Sequence, residues 1–216
     1  MLERMNEFFA ARISEYDEHM LHTIDGLQDA YTETARLIPK NTAVLLDLGC
    51  GTGLELEYIF KLAPNIRVTG IDLTQAMLDK LSEKFSGKQI DLICASYLDY
   101  DFGSEVYDAA VSVETMHHWS YNEKLALYTN LFKALKSGGR YIECDYMVLT
   151  QQEQDRWSDE NCKLRTAQGI PEGEFCHYDI PFTVSNQINL FLQVGFARAE
   201  AVWSHNNTAI ITAEKI

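Results

Sequence analysis

Basic residues are scarce in this chain: 18 lysines and arginines stand against 32 aspartates and glutamates, a formal charge of −14 at pH 7. An acidic surface repels phosphate backbones and anionic lipid, which disfavours nucleic acid as a partner. Long apolar runs are missing too. No stretch is long enough to span a bilayer, and the start, Met1-Leu-Glu-Arg-Met-Asn-Glu7, lacks the basic beginning and apolar middle of a signal peptide. The expectation is a cytoplasmic chain that does not associate with membranes. Its five cysteines (Cys50, Cys94, Cys144, Cys162, Cys176) form an odd set with no Cys-x-x-Cys pair. That argues against a disulfide framework and a zinc knuckle, so they read as reduced thiols, and no metal-ligand set is assigned. There is no internal repeat or low-complexity segment.

The 216 residues, 46% of them hydrophobic, can bury one sizeable core. From Ala43 onward, short β-branched or aliphatic runs alternate with helical stretches, the pattern of βαβ units on a parallel sheet. Strands are expected over 43–48, 67–72, 89–95, 108–113 and 141–147, with a final hairpin of 197–204 and 208–213 turning at Ser204-His-Asn-Asn207. Thr74 is placed as the N-cap of a helix turning Met77, Leu78, Leu81 and Phe85 inward. Ser120-Tyr-Asn-Glu123 has the form of a capping box, and its helix is expected to stop at Ser137-Gly-Gly139. Residues 150–168 read as a polar helix, 169–181 as irregular, and 185–194 as a short helix. The expected fold is α/β: a Rossmann-like, doubly wound, seven-stranded, mostly parallel sheet with helices on both faces and a C-terminal antiparallel hairpin strand. Residues 1–40, read as one or two helices, would cap the carboxyl edge of the sheet. Residues 41–149 would hold the cofactor, 150–183 form an insertion on the substrate side, and 184–216 complete the same domain.

The most informative stretch is Val44-Leu-Leu-Asp-Leu-Gly-Cys-Gly-Thr-Gly-Leu-Glu55, an apolar strand that runs through Asp47 into glycines at alternate positions. A strand, glycine loop and helix in that order is where an α/β fold holds an adenosyl cofactor. In the dinucleotide fingerprint the third glycine lies three residues after the second; here Gly49, Gly51 and Gly53 are two apart. That spacing turns the reading from a pyrophosphate to S-adenosylmethionine. Asp72 follows about 20 residues later, at a strand end from which an acid can accept both ribose hydroxyls.

With these features the chain resembles the class I S-adenosylmethionine-dependent methyltransferases of small-molecule type, most closely at Leu46-Asp-Leu-Gly-Cys-Gly-Thr-Gly53. The resemblance implies S-adenosylmethionine as cofactor and S-adenosylhomocysteine as product. It puts Gly49, Cys50, Gly51 and Gly53 in the cofactor loop, Asp47 near the amino group, Asp72 on the ribose, and Leu73 and Met77 beside the adenine. Where the family often carries an acid after its third strand, this chain has Ala95, so Ser96, Tyr97 or a backbone group would take over that contact. Glu114 would lie near the methionine part. Thr115-Met-His-His-Trp119 resembles the family's segment at the reacting methyl group, which makes His117 and His118 the candidate general bases. Tyr16 opens Tyr-Asp-Glu-His19, similar to a cofactor-covering signature, and could face the sulfonium. Tyr146, Trp157, Phe175, Tyr178 and Phe182 are candidate walls of the substrate pocket. The function implied is methyl transfer to a small molecule, with two chains able to pair through the N-terminal helices. Two alternatives stay open: a carboxylated-cofactor or tRNA-linked enzyme of the same fold, and a non-catalytic protein that binds the cofactor.

Overall fold

The computed structural model describes residues 1–216 except Glu172. Seven strands form one sheet: β1 (Val44–Leu48), β2 (Arg67–Asp72), β3 (Ile90–Cys94), β4 (Tyr107–Val113), β5 (Leu135–Tyr146), β6 (Arg198–His205) and β7 (Thr208–Glu214). Their order is β3-β2-β1-β4-β5-β7-β6. Only β7 runs antiparallel to its neighbours β5 and β6. The chain winds from β1 outward through β2 to β3, then returns to lay β4 on the other side of β1. That reversal opens a crevice beyond the carboxyl ends of β1 and β4, where doubly wound sheets bind ligands.

The central strands are apolar on both faces because helices cover both. On β1, Leu46 and Leu48 enter one core with Ala110 and Tyr141, while Leu45 enters the other with Ala109, Val111, Ile142 and Cys144. Helices α4 (Leu54–Leu62), α5 (Gln75–Lys84), α6 (Tyr121–Ala134) and α8 (Val184–Val194) turn their apolar sides onto these faces. Met77, Leu78 and Leu81 are the buried residues of α5, as the spacing predicts. Helix α7 (Gln151–Gln168) has no buried residue and opens on a Thr150–Glu153 capping box.

Two local expectations are corrected, and a third holds in position only. Residues 1–40 form three helices: α1 (Met5–Arg12), α2 (Tyr16–Thr23) and α3 (Leu27–Leu37). Gly26, at φ +78°, is the break between the last two. The Ser120–Glu123 capping box is present, but α6 ends at Ala134 and β5 begins at once. Gly138 and Gly139 turn within that strand instead, where a side chain on Gly139 would lie 2.7 Å from the Lys136 carbonyl oxygen. Thr74 is the N-cap residue of α5, as expected, but its hydroxyl makes no capping bond.

Candidate active site

The glycine loop sits at the crevice because its backbone can go where other residues cannot. Gly49 has φ +70°, and a Cβ there would lie 2.5 Å from Thr115 Oγ1, so glycine lets the loop press against the segment after β4. Gly51 N–H donates to Asp72 Oδ2 at 3.0 Å, and Thr74 N–H donates to Asp72 Oδ1 at 2.7 Å. One carboxylate therefore holds both turns. Burial raises the Asp72 pKa against the opposing pull of those two donors. Gly49, Asp72, Leu73, Ser96 and Tyr97 line a narrow cleft of about 40 Å³. Tyr97 is fixed there by Thr115 Oγ1 at 2.8 Å and by the Trp119 indole N–H, which donates at 2.5 Å.

Six of the sequence-predicted cofactor residues line neither this cleft nor the large cavity beside it, Gly51 among them. Cys50 is 1% exposed and its sulfur fills the space over Gly70. Gly53 precedes α4, Met77 is buried, and Ala95 packs on the core while its N–H bonds the Asp72 carbonyl. Asp47 is 1% exposed and faces Glu55, which sequence reasoning passed over. Burial pushes both carboxyls up; the charge of Glu55 pushes Asp47 further, while the hydrogen bond between them draws Glu55 part of the way back. The signal was an acid placed where α4 turns inward among Leu54, Leu56 and Ile59.

The larger cavity, about 1130 Å³, adjoins the cleft under α1 and α2. Tyr16 begins α2 and lines it, and burial followed by the nearby Asp72 charge pushes its phenol far up. The neighbouring Asp17 latches the helix: Thr52 Oγ1 donates to it at 2.6 Å, and Lys84 and Lys80 approach within 3.1 and 3.3 Å. Glu114 takes φ +51° at the end of β4, an unusual conformation for a residue with a side chain. Its carboxyl is pushed up to about 8 by burial and then by the charge of Asp145.

His117 and His118 lie on a 3-10 turn, Met116–His118, and both are 8% exposed. His117 Nδ1 donates to Asp145 Oδ1 at 2.5 Å. Burial would lower this imidazole's pKa, but Asp145, Asp179 and Glu114 together raise it to about 9. His118 Nδ1 lies 3.2 Å from the Tyr178 carbonyl oxygen, and burial, reinforced by His117, lowers its pKa. Asp179 is held down at about 2: burial opposes this, but its hydrogen bond with His118 and the charge of His117 prevail. Asp145, Asp179 and His177, all absent from the expected set, complete this cluster. Asp145 lies within the strand predicted over 141–147, and Asp179 on the irregular stretch, so nothing local marked either.

Of the five aromatic candidates, only Tyr146 reaches the cavity. Phe182 is core, Phe175 packs on Trp119, and Trp157 and Tyr178 pack on each other. The insertion instead contributes His177 and Asp179.

Comparisons with known proteins agree with this layout. A family model described as a methyltransferase domain matches residues 45–139, from β1 through the glycine loop to the start of β5. The carboxy-S-adenosyl-L-methionine synthase of Helicobacter hepaticus is 28% identical over 97% of this chain and 94% of its own length. Among solved structures, DhpI with SAM and HEP superposes with a TM-score of 0.72 at 17% identity, covering 96% of this chain and 94% of DhpI. Human N-acetylserotonin methyltransferase with SAM superposes at 0.63 with 18% identity, over 96% of this chain but only 58% of that longer one. These likenesses to solved structures concern the fold.

Proposed function

The chain belongs to the class I S-adenosylmethionine-dependent methyltransferases, and from that premise we propose that it methylates a small molecule held in the 1130 Å³ cavity. S-adenosylmethionine is its cofactor. The observation that carries the proposal is the meeting of two spaces. The cleft at Gly49 and Asp72 adjoins a cavity lined by Tyr16, Glu114, His117 and His118, sized for a small ligand.

In this reading Asp72 takes the ribose hydroxyls, Gly49 and Gly51 let the backbone meet the methionine part, and the Asp47–Glu55 pair sits beneath the cofactor's ammonium. Leu73, Ser96 and Tyr97 flank the adenine; Met77, Ala95, Cys50 and Gly53 shape the walls from behind. Tyr16 and Glu114 face the sulfonium. When bound, S-adenosylmethionine would supply the methyl carbon: the acceptor's lone pair would bond to it as the carbon–sulfur bond breaks, the electrons going to sulfur, and any acceptor proton would pass to solvent at the cavity mouth. Alignment and exclusion of water do most of this work. His117, held by Asp145 and raised to about 9, would be the positioning group on the acceptor side; His118 shares that wall with its Nδ1 turned to Tyr178. Residues 1–40 cover the site, 41–149 hold the cofactor, 150–183 supply acceptor contacts and 184–216 complete the sheet. The net charge of −14 disfavours a nucleic-acid partner, no described helix is long and apolar enough to cross a membrane, and the setting proposed is cytoplasmic. The N-terminal helices would pair two chains, as a sedimentation measurement would reveal.

A screen of acceptors for release of S-adenosylhomocysteine tests the proposal, with turnover expected from the wild type and loss in His117→Gln. A second reading, an enzyme of carboxylated cofactor, is favoured by the likeness to the carboxy-S-adenosyl-L-methionine synthase along the whole chain. Against it, Arg140 is paired with Glu214 and Arg165 with backbone oxygens of the insertion. Arg12 is a cavity-lining cation, and it already holds Glu3. The mass of the nucleoside retained on purification separates the two readings.

A further inference from the structure

Two segments far apart in sequence converge on one point of the cavity wall. The 3-10 turn after β4 supplies His117 and His118, and the segment before α8 supplies Asp179. Asp179 Oδ1 lies 3.6 Å from His117 Nε2 and 3.4 Å from His118 Nδ1, and the ligand atoms of the three residues all lie within 4.8 Å of one another. Two ligands of a tetrahedral zinc ion with bonds of about 2.0–2.1 Å stand roughly 3.3 Å apart. Both contacts to Asp179 are already near that spacing.

The second nitrogen of His117 strengthens the case. Its Nδ1–H donates to the buried Asp145 at 2.5 Å, which leaves Nε2 directed away from Asp145, where a metal ion would take the place of its proton. A carboxylate behind a histidine in this way is the usual support of a metal-bound imidazole. Glu114 adds another carboxyl at 3.9 Å from the same ring. A wall with three carboxyl groups around two imidazoles favours a cation. His177 stacks on Phe8 with ring centroids 3.6 Å apart and stays outside the set.

We propose that His117 Nε2, His118 Nδ1 and Asp179 form a divalent-cation site of the zinc class, whose open position faces the cavity and takes an oxygen of the acceptor. The site stands on its own geometry; its role rests on the methyl-transfer reading. His118 would exchange its contact with the Tyr178 carbonyl for the metal. A hydroxyl bound there is acidified, as water is on zinc, and would lose its proton to solvent at the cavity mouth. The acceptor class is then an oxygen nucleophile, with His117 acting through the metal.

The test uses the full chain carrying Cys94→Ser and Cys162→Ser, which removes the two exposed thiols. It is stripped with chelator, then titrated with zinc against a chromophoric competitor, and S-adenosylmethionine binding is measured on the same preparations. One zinc per chain is expected, weakened at least about a hundredfold by Asp179→Asn or His118→Gln and about ten- to a hundredfold by Asp145→Asn. With cobalt, a visible band of low-symmetry nitrogen and oxygen ligation should appear and vanish in Asp179→Asn. No bound zinc, or zinc affinity unchanged in Asp179→Asn and His118→Gln, overturns the site. If cofactor still binds in that case, the methyltransferase reading survives; zinc without cofactor would leave the site and remove its role.

Discussion

In the cofactor half of the site, backbone does the holding: Gly51 and Thr74 N–H groups meet one carboxylate, and Gly49 clears the way for Thr115. In the proposed acceptor half, side chains from α1, α2, the end of β4, β5 and the insertion meet around His117, and backbone only pins them, through the Tyr178 carbonyl on His118 and the Ile180 N–H on the His117 carbonyl. A turn that grips through backbone must have glycines and an acid at set spacings. A pocket built of side chains needs only that distant positions arrive together, so it can change its acceptor without disturbing the loop. The two halves should therefore fail separately.

The largest effects should fall at the centres of the two halves. Asp72→Ala removes the acceptor of two backbone donors along with the proposed ribose contact. It should weaken S-adenosylmethionine binding about a hundredfold, roughly 2.7 kcal/mol by calorimetry. Comparable cofactor loss in His117→Gln would erase the distinction. That variant should instead lower kcat/KM for the acceptor about a hundredfold or more while cofactor affinity stays within about twofold.

Next comes Gly49→Ala, which meets both a positive φ and the Thr115 side chain. A loss of about 2 kcal/mol in denaturant unfolding is expected. Asp17→Ala unlatches α2 from Thr52 and Lys84, and because those contacts are partly exposed it should cost the cofactor only a few-fold in affinity, about 1 kcal/mol, read by calorimetry.

The smallest and most diagnostic effect is a pH dependence at Asp47 and Glu55. Their folded pKa values lie above the ordinary carboxylate range, so the folded chain holds protons that the unfolded chain releases. Stability from this pair is complete below that range, at about pH 4, and declines as pH rises toward neutrality. In the proposed pose the cofactor's ammonium would favour the ionised pair, so binding should release a proton. Binding enthalpies measured in buffers of different ionisation heat should differ accordingly, and the dependence should disappear in Glu55→Gln.

The same contrast decides what could be read before the structure. The doubly wound sheet was legible because strand and helix periods are local, and all the expected strands are present, though β5 begins at Leu135 rather than Tyr141. The glycine loop between β1 and α4 was legible because three glycines and two acids sit within one βαβ unit. Gly138 and Gly139 misled, since a glycine pair suits a turn within β5 as well as a helix end. Met77 and Cys50 carry side chains that pack as readily as they bind, and both prove buried. Asp145 and Asp179 were invisible: their importance lies in distances to His117, 28 residues away for Asp145, that no spacing rule encodes. Glu55 was overlooked because an acid in the first turn of a helix is ordinary there; its burial against Asp47 is not.

Titration of S-adenosylmethionine into the wild type and into Asp72→Ala tests the central claim most directly. The account predicts one molecule bound per wild-type chain and affinity about a hundredfold lower in the variant. No binding by the folded wild type, or equal affinity in the two proteins, would contradict it.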